Sequence, residues 1–252
     1  MTRLFFLHAF GASARSWDGV VARLKAEAGD RIDCVALDLP GFGDAATMGH
    51  RSIAETLDWF AGKVARYDDA PWLVVGHSMG GKIATLTAAQ VPAGLVGVVL
   101  VAASPPAPEP MDEARRAEML GWFKDGVASE EEAEKFVSAN TAHPLPQPLA
   151  EQAIADVRRS APAAWRGWLE EGAREDWAER AGVIDTPALI VAGAKDGDLG
   201  EDAQRRLNAP HYAHARVELV ADAAHLIPYE QPEALAALIM GHVEHTTSKG
   251  ER

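Results

Sequence analysis

Short apolar runs recur along the chain and alternate with helical patterns, and this alternation constrains the fold more than any other feature. Six runs rich in β-favouring residues occupy 3–8, 32–37, 72–77, 96–102, 187–193 and 215–220. Four of the six are apolar throughout, as is typical of strands buried on both faces of a parallel sheet. Helical periodicity covers 14–28, 52–67, 79–91 and, after the last run, 231–245. The pattern predicts an α/β fold with a doubly wound, mainly parallel sheet of about six strands.

One long interval, from about Ser104 to about Gly182, contains no convincing strand. It opens with the proline-rich stretch SPPAPEPM, and helical patterns follow near 111–125, 129–139, 147–160 and 162–180. A helical insertion of this length between two core strands predicts a cap over the carboxyl edge of the sheet, where open α/β sheets bind ligands. We therefore expect a core formed by 1–103 and 183–252 and a helical cap formed by 104–182.

Two helix starts carry a specific sequence signature. Ser52 with Glu55, and Ser129 with Glu132, match the capping box, in which a serine and a glutamate three residues later satisfy each other's backbone N–H groups. We expect a helix to begin directly after each serine.

The stretch VVGHSMGGKIA, from Val74 to Ala84, joins the third apolar run to a helical pattern. It contains a G-x-S-x-G motif centred on Ser78, and a strand before it and a helix after it are the context in which that motif forms a nucleophile elbow. The elbow strains the serine backbone, and Gly76 and Gly80 let the strand and helix approach closely enough to permit it. The alternative is that Ser78 is only a helix N-cap, a position that serine favours.

A nucleophilic serine needs a histidine base and a carboxylate that orients the base, because a serine hydroxyl is a weak nucleophile at neutral pH. On this fold both should follow later strands, in the order Ser, Asp, His. Asp196 follows the run at 187–193, and His225 follows the run at 215–220. Asp198 and Asp222 are alternative carboxylates, although turn formation is the usual role of loop aspartates. We predict Asp196, which comes soonest after its strand.

A pair of backbone N–H groups should complete the site by binding the oxyanion that forms during acyl transfer. One is expected from Met79, directly after the serine. The other is expected from Phe10, in the loop LHAFGAS that follows the first strand. We interpret His8 as a residue that braces this loop.

Five motifs together resemble the α/β-hydrolase superfamily over nearly the whole chain: LHAFGAS, LDLPGFGDA, VVGHSMGGKIA, VAGAKDGD and DAAHLIPYEQPE. The family usually has glycine where this chain has Ala9 and Ala224. We expect no counterpart of the family's first strands here, which implies a reduced sheet of six strands. The serine at position 78 disfavours the branches that use aspartate at this position, the haloalkane dehalogenases and epoxide hydrolases.

The resemblance implies a serine hydrolase that cleaves small to medium carboxylic esters through an acyl-enzyme intermediate. Ser78 would attack the carbonyl, His225 would transfer the proton, and Asp196 would hold the imidazolium. One alternative is a triad-dependent C–C hydrolase or lyase, because small family members resemble an enzyme of menaquinone biosynthesis. Another is a non-catalytic ligand receptor on the same fold. The acyl-enzyme route needs no metal or organic cofactor. The histidines of HYAH at 211–214 are three residues apart, but without further ligands they are weak evidence for zinc.

Charge and composition limit the classes of molecule that this protein is expected to bind. A formal net charge of -13 disfavours nucleic acids and polyanionic substrates. The apolar run before His8 is too short for a signal sequence or a membrane span, and the single cysteine, Cys34, excludes an intrachain disulfide. We expect a soluble, cytoplasmic monomer or homodimer that acts on a small-molecule ester and has no nucleic-acid or membrane partner.

Aromatic residues are frequent in the predicted cap and could serve either packing or binding. Most are expected to hold the cap together. Because the underside of a cap faces the substrate, we predict that one or two of four aromatic residues line the site, together with Phe10, Met79 and Leu226. The four are Trp122, Phe123, Trp165 and Trp168.

Overall fold

The computed structural model describes residues 1–67 and 70–248. Its strands are β1 (Thr2–Leu7), β2 (Ile32–Leu37), β3 (Trp72–His77), β4 (Leu95–Val101), β5 (Ala188–Gly193) and β6 (Ala215–Val220). They form one six-stranded sheet in the order β2-β1-β3-β4-β5-β6, and every neighbouring pair is parallel. Each strand lies within one residue of a run predicted from the sequence. The predicted α/β-hydrolase sheet is therefore confirmed.

Helices connect the strands and fill the long interval between β4 and β5. They are α1 (Asp18–Ala28), α2 (Ile53–Val64), α3 (Met79–Ala88), α4 (Glu113–Gly121), α5 (Glu130–Ala139), α6 (Gln147–Arg158), α7 (Pro162–Gly167), α8 (Ala178–Ala181), α9 (Glu201–Ala203), α10 (Ile227–Glu230) and α11 (Pro232–Ser248). Within the described ranges, no helix is both long enough and apolar enough to cross a membrane.

The sheet is covered on both faces, as side-chain alternation along its strands requires. Leu4 and Phe6 point into a core shared with α1 and α11, whereas Phe5 and Leu7 point into a core shared with α2 and α3. The second core continues into the segment 104–182, which we call the cap. The cap therefore packs into the same apolar cluster as one face of the sheet.

Several predicted helices are shorter than the sequence indicated. Residues 14–17 form a separate 3-10 turn before α1, and the helix predicted for 111–125 is confined to Glu113–Gly121. The helix predicted for 162–180 ends as a wide π-helical turn at Trp168–Gly172. This turn ends at Gly172, where the indole of Trp168 lies close to the backbone. A Cβ at position 172 would lie 2.7 Å from a ring carbon of Trp168, which explains the glycine. Both capping boxes form as predicted, at Ser52 and at Ser129.

Two buried polar contacts attach the cap to the core. The Lys82 ammonium on α3 donates to the carbonyl oxygens of Gly172 at 2.9 Å and Glu175 at 2.8 Å. On the other side of the cap, the fully buried carboxylate of Asp156 accepts a hydrogen bond of 2.7 Å from Ser13, at the end of the loop that follows β1. The cap is thus tied to the core at both α3 and the loop expected to bind the oxyanion.

Candidate active site

Ser78 forms a sharp turn between β3 and α3. Its backbone has φ 50° and ψ -117°, a conformation that residues other than glycine adopt at a cost. The neighbouring backbone explains the two glycines of the motif. A Cβ on Gly76 would lie 2.3 Å from the carbonyl oxygen of Gly80, and a Cβ on Gly80 would lie 2.4 Å from that of Leu7. Only glycine fits at either position while β1, β3 and α3 keep this spacing.

Backbone hydrogen bonds hold the strained turn and leave the serine hydroxyl free of a capping role. The N–H of Ser78 donates to Val101 at 3.0 Å, and its carbonyl accepts from Gly81 at 2.7 Å and from Ser104 at 3.0 Å. The hydroxyl makes no capping hydrogen bond, although Ser78 directly precedes α3. The structure therefore does not support the alternative that Ser78 is simply an N-cap.

The structure pairs His225 with Asp196. The Nδ1 atom of His225 lies 2.8 Å from Oδ2 of Asp196, and the side chains are 15% and 4% exposed. The other oxygen of Asp196 accepts the backbone N–H groups of Asp198 at 3.1 Å and Leu199 at 3.0 Å. These two bonds fix the carboxylate so that it can orient the imidazole.

The two alternative carboxylates have other partners. Asp198 forms an ion pair of 2.6 Å with Arg115, and Asp222 forms one of 3.2 Å with Lys195. Among the described residues, Asp196 is the carboxylate that hydrogen-bonds His225. The geometry thus favours the residue preferred from the sequence.

The electrostatics of the pair suit a histidine that gains a proton during a reaction. Burial alone lowers the pKa of His225, but the charge and hydrogen bond of Asp196 outweigh it, so the net pKa is raised. Burial alone raises the pKa of Asp196, but His225 and two backbone N–H groups outweigh it, so the net pKa is lowered. The carboxylate is therefore ionised and stabilises an imidazolium at His225.

The backbone of His225 is held from both the core and the cap. Its N–H donates to the carbonyl of Asn140, at the end of α5, at 3.1 Å. Its carbonyl accepts a hydrogen bond of 2.8 Å from Nε2 of His77. Burial, aided by the nearby His225, lowers the pKa of His77 to about 3, so this ring is neutral. His77 and Asn140 are positioning residues that the sequence analysis missed, because both act on backbone atoms of a distant segment.

The expected oxyanion-binding groups lie at the start of α3 and in the loop after β1. Within the described part of the chain, the backbone N–H groups of Phe10 and Met79 donate to no other backbone group. His8 braces this loop, since its Nδ1 donates to Ala9 at 2.7 Å and its Nε2 accepts from the Leu39 N–H at 2.9 Å. Burial lowers the pKa of His8, in keeping with a neutral ring.

A small cavity of about 50 Å³ brings Ser78, Asp196 and His225 together. Of the predicted substrate-binding residues, Phe10, Trp168 and Leu226 line it. Further lining residues were not predicted: Glu109, Pro110, Met111, Arg115, Met119, Phe136, Asn140 and Leu199. The one sequence signal for Glu109 is that it is the first carboxylate after β4, at the edge where ligands bind.

The structure places Trp122, Phe123 and Trp165 in an aromatic cluster inside the cap, and none of them is among the residues that line the cavity at Ser78. Trp165 is fully buried, its ring centre lies 4.2 Å from that of Phe10, and its indole N–H donates to the Met119 carbonyl at 2.9 Å. The rings of Phe123 and Trp165 are 4.7 Å apart. These three residues support the wall of the cavity from behind.

A second cavity lies beside the first. It measures about 30 Å³ and is lined largely by apolar residues of α2, α3 and the cap, including Ile53 and Ile83. Trp168 lines both cavities, and Met79 lines the second. The two cavities therefore meet at Trp168.

The histidines of the HYAH stretch have separate structural partners. The Nδ1 atom of His211 donates to the Gly182 carbonyl at 2.9 Å, and Nε2 of His214 lies 3.4 Å from Oδ1 of Asp185. Among the residues that the structure describes, no group of three or more histidine, cysteine, aspartate or glutamate side chains could hold a metal ion.

A serine elbow followed along the chain by an aspartate and a histidine, each after a later parallel strand, is the arrangement by which α/β hydrolases are recognised. Residues 4–238 match the model described as the alpha/beta hydrolase family, so the chain belongs to that family.

Relatives and solved structures of differing chemistry resemble the chain. A pimeloyl-acyl-carrier-protein methyl ester esterase of Neisseria meningitidis is 29% identical, over 96% of this chain and 93% of the relative. A 2-succinyl-6-hydroxy-2,4-cyclohexadiene-1-carboxylate synthase of Enterobacter is 28% identical, over 94% and 89%. The structure of an esterase from Exiguobacterium antarcticum superposes with a TM-score of 0.83 at 16% identity, covering 97% of this chain and 92% of that one.

Proposed function

We propose that this protein is a serine hydrolase that cleaves small to medium carboxylic esters through an acyl-enzyme intermediate. The observation that carries the proposal is that Ser78, at a strained elbow, shares one cavity with His225, whose imidazole is held by the buried Asp196. The esterase activity of a relative in Neisseria meningitidis supports the same reaction class.

In the proposed reaction, Ser78 Oγ attacks the ester carbonyl while Nε2 of His225 takes its proton. The N–H groups of Phe10 and Met79 bind the oxyanion, aided by the positive end of α3. His225 then protonates the departing alcohol. Water, activated by the same histidine, releases the acid and restores the Ser78 hydroxyl.

The charges that line the cavity favour the esterase over the lyase alternative. The compound in the name of the Enterobacter relative carries a carboxylate and a succinyl group. Here the cavity is lined by three carboxyl groups, those of Glu109, Asp196 and Asp198, and by one arginine, Arg115. Asp198 already binds that arginine. Few groups remain to balance the charge of an anionic substrate.

Purified protein assayed with neutral methyl esters from acetate to decanoate, by titration of the released acid, tests the proposal. We expect turnover, with the highest kcat/KM among the short and medium chains. Stoichiometric labelling by p-nitrophenyl acetate without turnover would instead indicate a receptor. Turnover of a C–C bond substrate without ester hydrolysis would indicate the lyase.

The dependence of activity on pH follows from the state of His225. The base must be neutral to accept the serine proton, and its pKa is raised above 6.5 by Asp196. We therefore expect kcat/KM for a neutral ester to rise with pH through a pKa above 6.5 and to be lost below it. A pH series on one neutral ester measures this limb. An acidic limb centred well below 6.5 would contradict the assignment of the base.

Substitution of Trp168, which lines both cavities, should change acyl-chain preference. We infer that its indole separates the cavities and that Trp168→Leu joins them, so we expect the ratio of kcat/KM for octanoate to that for butyrate to rise by about 10-fold or more. The matched control is Trp177→Leu, which changes a cap tryptophan that lines neither cavity. An unchanged ratio in Trp168→Leu, with reactivity at Ser78 retained, would contradict this role for Trp168.

A further inference from the structure

Glu109 is fixed close to the nucleophile by the segment that leads from β4 into the cap. Its backbone N–H donates to the Ala173 carbonyl at 2.8 Å, and its Oε2 atom accepts a hydrogen bond from the Ser104 hydroxyl. The N–H of Ser104 in turn donates to the carbonyl of Ser78 at 3.0 Å. Two hydrogen bonds through Ser104 therefore link the carboxyl group of Glu109 to the backbone of Ser78.

The second carboxyl oxygen of Glu109, Oε1, has no hydrogen-bond partner among the described residues. This oxygen atom is not fully buried and retains some solvent-accessible surface. Glu109 lines the cavity together with Ser78 and His225. The residue that carries this unpartnered acceptor atom therefore borders the space that a substrate of Ser78 must occupy.

The cations near Glu109 are engaged elsewhere. Lys82 and Arg116 are bound by backbone carbonyls of the cap, and Arg115 is bound by a carboxylate. His225 is held by its own carboxylate partner. Burial raises the pKa of Glu109, although the hydrogen bond from Ser104 and the charges of His225, Lys82 and Arg116 oppose the shift. A hydrogen-bond donor supplied by a ligand would stabilise this carboxylate.

We propose that Glu109 is a specificity-determining residue whose Oε1 accepts a hydrogen bond from a hydroxyl or ammonium group of the substrate. The inference rests on the proposed ester hydrolysis at Ser78. It predicts that the cavity prefers esters with a donor group near the scissile carbonyl and discriminates against esters that carry a free carboxylate. Hydroxyl and ammonium donors share the recognition chemistry, but the ammonium alone also gains from the negative charge.

The test compares four methyl esters of similar size: butyrate, 3-hydroxybutyrate, 3-aminobutyrate and the monoester of succinic acid. Each is assayed for kcat/KM with the wild type, with Glu109→Gln, and with Glu118→Gln. The glutamine is close in size to glutamate and keeps a group for Ser104 to contact. Glu118 is an exposed carboxylate on α4 outside the cavity, so its variant is the matched control.

In Glu109→Gln we expect the preference for the hydroxy and amino esters over butyrate to fall by about 10-fold or more, because hydrogen bonds to charged groups are the stronger ones. The amino ester should lose most, and the rate on the succinate monoester should rise. Butyrate should change by less than about threefold, and Glu118→Gln should match the wild type. A merely structural role would not alter ratios between substrates.

A uniform change on all four esters would overturn the inference, because Glu109 would then act only through the nucleophile or His225. A wild type that hydrolyses the esters without preferring a donor group would also overturn it, while leaving the proposed function intact. Should the glutamine variant unfold, Glu109→Asp keeps the charge but withdraws the acceptor. It is expected to keep the discrimination against succinate and to lose part of the preference for the hydroxy ester, and retention of that full preference would contradict the inference.

Discussion

Ser78→Ala is expected to lower kcat for ester hydrolysis by a factor of about 10³ or more while the protein remains folded. The reason is that serine, histidine and aspartate act as one unit, so removal of the nucleophile removes nearly all the benefit of the other two. Folding should be little affected, since the Ser78 hydroxyl caps no backbone group of α3. Turnover and thermal unfolding of the variant and the wild type measure both effects.

The matched control for this variant is Ser52→Ala. Ser52 is a true N-cap, and its hydroxyl accepts the N–H of Glu55 at the start of α2. Its loss should lower stability by about 0.5–2 kcal/mol and leave kcat close to that of the wild type. The opposite pattern, with Ser78→Ala active but unstable, would show that Ser78 is only a structural residue at the start of a helix.

Asp196→Asn is the second substitution with a very large expected effect, a decrease in kcat of about 10³–10⁴. An asparagine keeps the size of the side chain but cannot stabilise the imidazolium and disturbs the tautomer of His225. Because burial alone lowers the pKa of His225, the residual activity should show an acidic limb at lower pH than the wild type. Rates measured across pH test both the loss and the shift.

Asp198→Asn and Asp222→Asn serve as the controls. Both residues belong to the same pair of loops, but their carboxylates bind Arg115 and Lys195 rather than His225. We expect decreases in kcat of less than about 10-fold for each, since exposed ion pairs contribute little. A loss at Asp198 or Asp222 that equals or exceeds the loss at Asp196 would move the orienting role to that residue.

The sheet and the placement of Ser78, Asp196 and His225 at its carboxyl edge could be predicted from the sequence because their signals are local. Buried parallel strands have short, continuously apolar sequences. The turn at Ser78 requires glycine at positions 76 and 80, because a Cβ at either position would clash with the neighbouring backbone. The order of Ser78, Asp196 and His225 along the chain then follows from the order of the strands. Each of these predictions depends on a residue and its immediate neighbours.

The cap was less predictable, because aromatic residues that are close together in its sequence take different positions in the structure. Trp165 and Trp168 are one helical turn apart, yet the first is fully buried in the cap cluster and the second lines the cavity. The change from α7 to a π-helical turn at Trp168 alters the direction of the following side chains. Periodicity alone does not reveal such a change.

The contacts of Asn140 and Glu109 were not accessible to sequence reasoning for a related reason. Asn140 positions His225 through a backbone carbonyl, which every residue type possesses. Glu109 reaches the cavity through a proline-rich stretch that has no periodic pattern. Their roles depend on the packing of segments far apart in the chain.

Reaction of the intact protein with a serine-directed phosphonate tests whether Ser78 is the nucleophile of an ester hydrolase. We expect one adduct per chain, located at Ser78 by peptide mass spectrometry, with activity lost in proportion to labelling and no adduct in Ser78→Ala. Labelling at a different residue, or full ester turnover after complete modification of Ser78, would contradict it.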